Sequence, residues 1–457
     1  MKRTNEFIAG VQHGLTRRDF LKAGMAGAAA SAGSAWAGAA PAVPSGARPN
    51  VLFIISDQLA LEAISAHGCA DVHTPNIDRL VRGGVSFRES YTTYPLCSPA
   101  RSSMFTGRMP SETGVVNNGI PILPTIPNMG QWLGQEGYES IYVGKWHMPG
   151  SYQADIPGFT VLPGGIGGQG NAGDPGVSRA CQGYLLNRSA SKPFLLIASL
   201  LQPHDICGWV SSHFASAGWE RMPQIDGKLP PLPINFGFDP REPRALQRRQ
   251  RPQWSDEQWR FYLWSYYRHA EMVDAEVGRI LDALEMSGEA RNTLVVFTAD
   301  HGEGRGRHHL VLKNYLYDEA ARVPLLVSYP GRIPEGRQDR AHLVSGIDIL
   351  PTICDYAGLK TPPDVTGRSV KPVIDGKAGA WREFVAGEVA GGGRMIRTPG
   401  HKYVVYPADP VEQLFDMKAD SGEMHNLAPE SAHASALETH RKLLTEWQGR
   451  LKIAPTS

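Results

Sequence analysis

The stretch that decides the fold is residues 51–58, Val-Leu-Phe-Ile-Ile-Ser-Asp-Gln, in which five apolar residues precede a polar group. A continuous apolar run of this length is typical of a strand that is buried on both faces of a parallel sheet. Comparable runs recur later in the chain, with helical patterns between them, at 138–143, 194–200, 293–298 and 323–329. This alternation predicts an α/β fold with a large, mixed but mostly parallel sheet that is flanked by helices on both faces.

The segments between these runs predict several helices and loops. Residues 255–258, Ser-Asp-Glu-Gln, form a capping box and predict the start of a long amphipathic helix that ends at Gly288. The glycine-rich residues 157–176 are predicted to be a flexible surface loop, and the basic run within 208–254 a solvated face. Shorter helices are predicted at 74–83, 126–136 and 347–356. An edge strand is predicted at 85–91.

From about residue 376 the pattern changes to short strand candidates with close turns, at 384–388, 395–398, 403–406 and 413–416. A helical segment follows at 431–451. The pattern predicts a small antiparallel sheet with one helix, because short strands joined by close turns pair with their neighbours. We therefore divide the chain into an α/β domain at 41–375 and a C-terminal subdomain at 376–457.

Residues 1–40 are predicted to be an export signal rather than part of the fold. They contain Arg17 and Arg18, then a weakly apolar run rich in alanine and glycine, then Ala-Trp-Ala at 35–37. This order is typical of a twin-arginine signal, and it predicts the twin-arginine translocase as a partner and a periplasmic location. A disordered basic tail is the alternative. No later run is long enough to span a bilayer and no cysteine near the cleavage site could carry a lipid, so we expect no stable membrane anchor.

The composition argues against some classes of function. The 457 residues carry 46 Lys and Arg against 45 Asp and Glu, a net charge of +1, and this balance gives no signature of nucleic-acid binding. The five cysteines fit neither a zinc site nor a small disulfide scaffold by their spacing. Because a twin-arginine substrate folds in the reducing cytosol, we expect free, mostly buried thiols at Cys69, Cys97, Cys181, Cys207 and Cys354.

The segment CSPARSSMFTG, which begins at Cys97, is predicted to start a helix. Ser98 is a favoured N-cap, Pro99 suits the first helical position, and Gly107 is a favoured stop. Cys97 would then lie just before the helix, where unpaired N–H groups and the helix dipole favour a negative charge. Arg101, one turn further on, adds a fixed positive charge. The pattern predicts a nucleophile at an anion-binding helix terminus, as attack on a charged ester requires.

Polar residues directly follow several of the apolar strands, namely Asp57 and Gln58, Lys145 and His147, His204, and Asp300 and His301. Because the carboxyl ends of parallel strands line one crevice in an open sheet, we expect these side chains to converge on one charged site. Singly, each has a structural explanation as a helix cap, a core histidine or a solvated lysine. The carboxylates, the amide and one imidazole suit Ca²⁺, or alternatively Mg²⁺ or Mn²⁺, and the predicted ligands are Asp57, Gln58, Asp300 and His301.

The CSPAR segment and the following SSMFTGR resemble the signature of type I sulfatases, which belong to the alkaline-phosphatase-like superfamily. The similarity covers residues 49–430 and includes GKWH at 144–147, His204 after Pro203, Lys313, and QLFDM at 413–417. The resemblance implies that a formylglycine-generating enzyme oxidises Cys97 to formylglycine (3-oxoalanine), whose hydrated aldehyde is the nucleophile. It also implies that residue 97 is a further metal ligand, and that the substrate is a small-molecule or carbohydrate sulfate ester.

The resemblance implies a role for each member of a catalytic set, which is Cys97, Arg101, Lys145, His147, His204 and Lys313. Arg101 and the metal ion would stabilise the attacking oxygen, while Lys145 and Lys313 would hold the sulfuryl oxygens. His204 or Lys313 would protonate the leaving alcohol, and His147 would take a proton from the second hydroxyl of the hydrated aldehyde. Beyond this set, the rim of the pocket is predicted to include Asp205, Trp209, Arg307 and His308.

Two alternatives remain open. Gln58 and His301 depart from the residues that sulfatases more often carry at these positions, and the combination is also seen in relatives that hydrolyse phosphonate monoesters and phosphodiesters. A hydrolase of those esters is therefore the first alternative. The second is a catalytically silent periplasmic protein that binds sulfated glycans, although no chemical residue of the motif is missing.

Overall fold

The computed structural model describes residues 48–164, 169–213 and 224–454. The predicted export signal at 1–40 lies outside the described residues, as do parts of the glycine-rich stretch and of the basic region, at 165–168 and 214–223. Within the described ranges, no helix has both the length and the apolar character needed to cross a membrane.

The strands of the described residues form three sheets. They are β1 (Asn50–Asp57), β2 (Val85–Phe87), β3 (Ser90–Tyr91), β4 (Glu139–Gly144), β5 (Thr160–Val161), β6 (Phe194–Pro203), β7 (Thr293–Ala299), β8 (Leu325–Ser328), β9 (Arg337–Asp339), β10 (Val344–Ser345), β11 (Val385–Val389), β12 (Gly393–Arg397), β13 (His401–Val405) and β14 (Gln413–Asp416). The main sheet has the order β5-β4-β6-β1-β7-β8-β2-β9, β3 pairs with β10, and β11 to β14 form the third sheet.

Most neighbouring strands of the main sheet run parallel to one another. The exception is β8, which lies antiparallel between β7 and β2. The predicted α/β fold with a mixed, mostly parallel sheet is therefore confirmed. The predicted edge strand at 85–91 is wrong in position, because β2 ends at Phe87 and lies between β8 and β9. The edge strand beside β2 is instead β9, Arg337–Asp339, a polar strand without the apolar run by which strands are predicted.

Helices cover both faces of the main sheet. Alternate residues of β1 point to opposite faces. Leu52 and Ile54 therefore belong to one apolar core, together with residues of α1, α4, α5 and α6, and Phe53 belongs to the other, with residues of α2, α3 and α7. These helices, with one C-terminal helix, are α1 (Pro75–Arg82), α2 (Cys97–Thr106), α3 (Met129–Gln135), α4 (Gly170–Asn187), α5 (Ile206–His213), α6 (Asp256–Met286), α7 (Ile349–Tyr356) and α8 (Ala434–Arg450). Shorter α-helical turns lie at Pro110–Thr113, Arg244–Gln247, Asp318–Ala321 and Lys371–Ile374.

The long helix α6 begins as its capping box predicts, because the Ser255 side chain accepts a hydrogen bond from the Gln258 backbone N–H at 3.3 Å. The glycine-rich stretch, in contrast, is not a loop throughout, since α4 begins at Gly170. A Cβ at residue 170 would lie 2.7 Å from Cγ of Gln202. Glycine at this position therefore allows the N-terminus of α4 to pack against β6, a role that composition alone does not indicate.

The basic run at 241–251 is only partly a solvated face. The Arg241 side chain is 87% exposed. Arg251 is 11% exposed, forms an ion pair with Glu242, and lies over the ring of Phe238 with 4.5 Å between the guanidinium carbon and the ring centroid. Arg251 is therefore a packed side chain rather than a solvated charge.

The strands β11 to β14 form an antiparallel sheet in sequence order. On one face, Tyr403 and Leu414 cluster with Trp447 of α8. On the opposite face, Met395 clusters with Leu316 of the α/β part of the chain. The predicted small antiparallel sheet with one helix is therefore confirmed, and the domain boundary at residue 376 stays a prediction.

All five cysteines are free thiols, as predicted. Three of them are buried, namely Cys97, Cys181 and Cys354. Burial raises the pKa of the Cys181 and Cys354 thiols to about 12, so both are protonated side chains with little nucleophilic character.

Candidate active site

Four neighbouring strands of the main sheet end at the same edge. β4, β6, β1 and β7 are adjacent and parallel, so their carboxyl ends lie side by side. Asp57 is the last residue of β1, and β4, β6 and β7 are directly followed by Lys145, His204 and Asp300. The structure thus brings together the polar groups that the sequence analysis placed at strand ends.

The guanidinium of Arg101 connects these strand ends. Its Nε donates to Asp300 Oδ2 at 2.9 Å and its Nη2 donates to Asp57 Oδ2 at 3.1 Å. Its Nη1 donates to the Lys145 carbonyl oxygen at 2.8 Å and to Ser199 Oγ at 2.7 Å. Arg101 has no solvent exposure, and a buried guanidinium of this kind requires several acceptors to offset its desolvation.

The two carboxylates differ in their electrostatic surroundings. Burial opposes ionisation of Asp57, but Lys145, His204 and Arg101 more than offset it and hold its pKa well below the usual range. The Lys145 ammonium donates to Asp57 Oδ2 at 2.6 Å. Burial and the nearby Asp57 charge raise the pKa of Asp300. Asp57 is therefore the carboxylate that the local charges stabilise in its ionised form.

Cys97 lies in the first turn of α2 rather than before it. Leu96 is the N-cap, so the prediction that Ser98 caps the helix is wrong, and the Ser98 hydroxyl instead donates to the His147 carbonyl oxygen at 2.5 Å. The predicted stop at Gly107 is confirmed, because this residue ends the helix with a positive φ of 69°. The first-turn N–H groups have no carbonyl partner within the helix, so Cys97 still lies where a negative charge is favoured.

The Cys97 sulfur faces a group of side chains that could hold a metal ion. Its Sγ lies 3.3 Å from His301 Nε2 and 3.8 Å from Asp57 Oδ1. Burial and Asp57 raise the pKa of the thiol, but Lys145, Lys313 and His301 outweigh them and place it well below its ordinary value. The charge balance at residue 97 thus favours an anion.

A divalent cation fits the donors of this group. One ligand atom from each of Asp57, Cys97, Asp300 and His301 lies within 4.8 Å of the others, and all four residues are buried. His301 Nδ1 donates to the Gly302 carbonyl oxygen at 2.9 Å, which leaves the Nε2 lone pair free to bind a metal. Two carboxylates and one imidazole suit Ca²⁺, Mg²⁺ or Mn²⁺.

The Gln58 side chain, which the sequence analysis included among the metal ligands, has other partners in the structure. Its Oε1 accepts from Lys313 Nζ, and from the Cys207 thiol at 3.3 Å, while its Nε2 donates to Glu303. Only its backbone N–H reaches the metal-binding group, by donating to Asp300 Oδ1 at 3.0 Å. The positions of Glu303 and Cys207 could not be predicted from the sequence, because their hydrogen bonds to Gln58 join segments that are distant in the chain.

His204 and His147 follow the ends of β6 and β4, which are adjacent and parallel. His204 contacts Cys97, and burial together with the Lys313 charge lowers its pKa below the ordinary value. His147 has a positive φ of 69°, and its Nδ1 is buried without a hydrogen-bond partner among the described residues. The His204 imidazole is therefore placed where it can exchange a proton with residue 97.

The four residues predicted for the rim have different surroundings. Asp205 is 7% exposed, and its carboxylate accepts from the backbone N–H groups of Gly170 and Asn171 at 2.8 and 2.9 Å. It also accepts from Gln202 Nε2 at 2.7 Å. Asp205 therefore caps the N-terminus of α4, which departs from the predicted contact with substrate. Trp209 lies on α5 and stacks on His213 with 4.2 Å between ring centroids.

The two rim residues of the 305–309 loop are also engaged. His308 is 2% exposed and stacks on Tyr317 with 3.7 Å between ring centroids. Burial lowers its pKa to about 3. Arg307 donates to Asn235 Oδ1 at 3.0 Å and pairs with Glu62 at 2.5 Å. His308 is therefore a core side chain in the structure, which departs from its predicted place on the pocket rim.

Comparison with known proteins places this site in a family. The family model described as Sulfatase matches residues 49–359, and the model described as N-sulphoglucosamine sulphohydrolase, C-terminal, matches residues 306–450. This chain belongs to the sulfatase family. The first match contains every residue of the site described above, and the second contains the C-terminal sheet and α8. The protein is thus an enzyme of the sulfuric ester hydrolase class.

The sulfatase has well-matched relatives. It is 33% identical over 442 residues to the Delta 4,5-hexuronate-2-O-sulfatase of Bacteroides thetaiotaomicron, with 89% of this chain and 90% of the relative covered. A solved 2-O GAG sulfatase superposes with a TM-score of 0.81 at 31% identity and covers 88% of this chain and 92% of that chain. The phosphonate monoester hydrolase of Agrobacterium radiobacter, at 23% identity, has a TM-score of 0.74 with 88% and 96% covered, and it shares the fold.

The assignment of Asp205 as a helix cap predicts a loss of stability rather than of substrate binding. Asp205→Ala leaves three donors without an acceptor, two of them on the buried residues Gly170 and Gln202, so the free energy of unfolding in urea should fall by about 2 kcal/mol. Glu438→Ala, which removes a side chain that is 74% exposed on α8, is the control and should change it little. If Asp205→Ala instead raised KM and left the free energy of unfolding unchanged, Asp205 would be a residue of the substrate rim and not a helix cap.

Proposed function

We propose that this sulfatase hydrolyses a carbohydrate sulfate ester with a nucleophile formed at Cys97 and a bound divalent cation, Ca²⁺. The observation that carries the proposal is the position of the Cys97 side chain within 4.8 Å of ligand atoms from two carboxylates and one imidazole. A single ion held by Asp57, Asp300 and His301 would also contact residue 97. The nucleophile and the cation would therefore act on the same ester group.

Formylglycine at residue 97 would supply a hydrated aldehyde as an oxygen nucleophile, and the cation would polarise the sulfuryl group. Arg101 and Lys145 bind the Oδ2 atom of Asp57, which leaves Oδ1 directed towards Cys97. The two cations thus fix one oxygen of this carboxylate and free the other for the metal. Residue 97 lies in the first turn of α2, where the positive end of the helix dipole favours negative charge.

The positive charges around residue 97 suit an anionic ester. Lys145 and Lys313 both lie close enough to Cys97 to lower the pKa of its thiol. A sulfuryl group bound at residue 97 would lie in the field of both ammonium groups. We therefore assign both lysines to the sulfuryl oxygens, where negative charge increases as the ester bond breaks.

Two histidines are assigned to proton transfer. The lowered pKa of His204 follows from burial and the Lys313 charge, and the ring contacts Cys97. His204, or Lys313 beside it, delivers the proton to the oxygen of the leaving alcohol. The Nδ1 atom of His147 is buried and unpaired among the described residues, and it would accept a proton from the second hydroxyl of a hydrated aldehyde at residue 97.

Maturation and export are part of the proposal. Cys97 is 1% exposed. A formylglycine-generating enzyme would therefore have to reach it before α2 packs into the sheet. Modification in the cytosol, then folding, then export through the twin-arginine translocase is consistent with this burial and with the predicted signal at 1–40. The enzyme would then act in the periplasm.

A second candidate is the hydrolysis of phosphonate monoesters or phosphodiesters at the same site. The observation that favours it is an imidazole, His301, in the metal-binding group, with a neutral amide at Gln58 beside it. Rates on 4-nitrophenyl sulfate and on bis(4-nitrophenyl) phosphate, measured side by side on one preparation, decide between the two. We expect faster turnover of the sulfate ester, and a faster phosphodiester rate would favour the second candidate.

The Cys97 assignment predicts the behaviour of Cys97→Ser. This variant should fold and bind substrate, but its kcat should fall by roughly 10³-fold or more, since a serine cannot expel sulfate by elimination. Cys69→Ser, at a partly exposed thiol outside the site, is the matched control and should keep its activity. Repeated turnover by Cys97→Ser at the normal rate would refute the assignment.

The metal assignment predicts loss of hydrolysis after dialysis against EDTA and its return on addition of Ca²⁺. Ca²⁺ should also raise the thermal unfolding temperature of the dialysed protein, because an ion that binds only the folded state stabilises it. Asp300→Asn should lack this rise, whereas Glu438→Gln should retain it. The two other ions, Mg²⁺ and Mn²⁺, serve as comparisons in the same assay. Full activity in protein shown to contain no divalent metal would contradict the assignment.

A further inference from the structure

Two arginines lie beside the segment that leads into Cys97, and neither belongs to the catalytic set. Arg394 is on β12, and its side chain is 21% exposed. Arg249 belongs to the basic run that the sequence analysis treated as a solvated face, and it is partly buried. The Nε atom of each guanidinium is buried without a hydrogen-bond partner among the described residues. Such a donor costs free energy unless an acceptor binds it, so each of these arginines can still take an acceptor.

Both guanidinium groups act on the same tyrosine hydroxyl. Burial and the charge of Glu388 raise the pKa of Tyr94 to about 12. The positive charges of Arg394 and Arg249 oppose this rise, so both groups lie near the Tyr94 hydroxyl. The hydroxyl itself donates to the carbonyl oxygen of Val116 at 2.9 Å, and Val116 is 47% exposed. The two arginines therefore meet around a buried tyrosine that contacts an exposed segment.

The carboxylate of this group, Glu388, does not neutralise both arginines. Glu388 lies on β11 directly opposite Arg394 and is 1% exposed. Its Oε2 accepts from the backbone N–H of Ser111 at 3.0 Å. Its Oε1 is 3.8 Å from Arg394 Nε, which is beyond hydrogen-bond distance. Two guanidinium groups thus face one carboxylate that the main chain already binds, and the group keeps a positive charge.

Hydrogen bonds connect this positive group to the start of α2. The Glu388 backbone N–H donates to the carbonyl oxygen of Thr93 at 2.8 Å, which joins β11 to the segment before Cys97. Tyr94 lies three residues before Cys97, so their Cα atoms are at most about 11 Å apart. From the exposed segment at 116–118, Asn118 Oδ1 accepts at 3.0 Å from the backbone N–H that follows Cys97. The positive group therefore lies beside residue 97, within reach of a sugar whose ester is bound there.

We propose that Arg249 and Arg394 form a second anion subsite, which binds a carboxylate or a further sulfate group on the sugar whose sulfate ester is cleaved at residue 97. The inference rests on the proposed function, hydrolysis of a carbohydrate sulfate ester, and narrows its substrate to sugars that carry two anionic groups. A guanidinium presents paired N–H donors that match the oxygens of either group. Contacts with both arginines would fix the orientation of the sugar, and thereby decide which of its esters reaches residue 97.

Sugars that differ only in the group at C6 test the subsite. Glucose 2-sulfate and 3-sulfate carry a neutral CH₂OH there, the 2- and 3-sulfates of glucuronic acid carry a carboxylate, and glucose 2,6- and 3,6-disulfate carry a second sulfate. On enzyme saturated with Ca²⁺, we expect kcat/KM to be roughly 10- to 100-fold higher for an anionic member than for its neutral counterpart, the range for hydrogen bonds to a charged group. NMR of the product identifies the ester that is cleaved. The two anionic arms distinguish a carboxylate subsite from a sulfate subsite.

The variants Arg249→Gln and Arg394→Gln should each lower the ratio of kcat/KM between the anionic and the neutral sugar by at least about threefold, and the double variant should bring it near unity. The loss should fall mainly on KM, because these contacts hold the sugar and not the breaking bond. Arg248→Gln, at an exposed neighbouring arginine, is the matched control and should keep the ratio. The ratio compares two sugars on one preparation, so a loss of stability alone would not change it, and thermal unfolding confirms that each variant is folded.

Sugars that are not cleaved are compared through their Ki against hydrolysis of 4-nitrophenyl sulfate. Two results would overturn the inference. One is an unsubstituted enzyme that does not distinguish the anionic sugars from the neutral ones, and the other is a double variant that keeps the full preference. If the unsubstituted protein hydrolyses no sulfate ester, 4-nitrophenyl sulfate included, the proposed function fails. The Kd values of the same sugars by calorimetry, across the same variants, then still decide whether the subsite exists.

Discussion

The buried guanidinium of Arg101 is the interaction on which the site depends. One side chain of α2 binds the carboxylates of Asp57 and Asp300 and the main chain at Lys145, so it joins the ends of three strands. Its bond to Ser199 Oγ, at 2.7 Å, adds the fourth strand, β6. A buried arginine is tolerated only where acceptors surround it, and here those acceptors are the residues proposed to hold the metal. The packing of α2 against the sheet therefore also brings the residues of the site together.

The same contact explains the division of roles between the two carboxylates. Arg101 and Lys145 both donate to Oδ2 of Asp57 and favour its ionised form. Of these two cations only Arg101 donates to Asp300, whose pKa is raised. A bound divalent cation would supply the positive charge that the second carboxylate lacks.

Much of this arrangement could be predicted from the sequence. The apolar run of β1 and the polar residues after it predict a buried strand with a functional end, and the structure confirms the fold. The residues that escaped prediction depend on contacts between distant segments. In the sequence, Glu303 is an acidic residue near His301 with no pattern that indicates a role. Its hydrogen bond with Gln58 is evident only in the folded chain. Local patterns could not show that Asp205 accepts hydrogen bonds from the N-terminus of α4, because the run of glycines there does not predict a helix.

The start of α2 illustrates the limit of local rules. Ser98 and Pro99 are a favoured cap and a favoured first residue, but the helix begins at Cys97 because the Ser98 hydroxyl bonds to the loop that carries His147. The tertiary contact outweighs the local preference, and it brings residue 97 into the first turn. In this position, two residues earlier than predicted, Cys97 contacts His301 and Asp57.

The account depends on an oxygen nucleophile at residue 97 beside a divalent cation. The most direct measurement is the mass of the peptide that contains residue 97, taken from enzyme purified in its active form. We expect the mass of the aldehyde form of that residue in the active fraction. An unmodified cysteine in fully active enzyme would contradict the account.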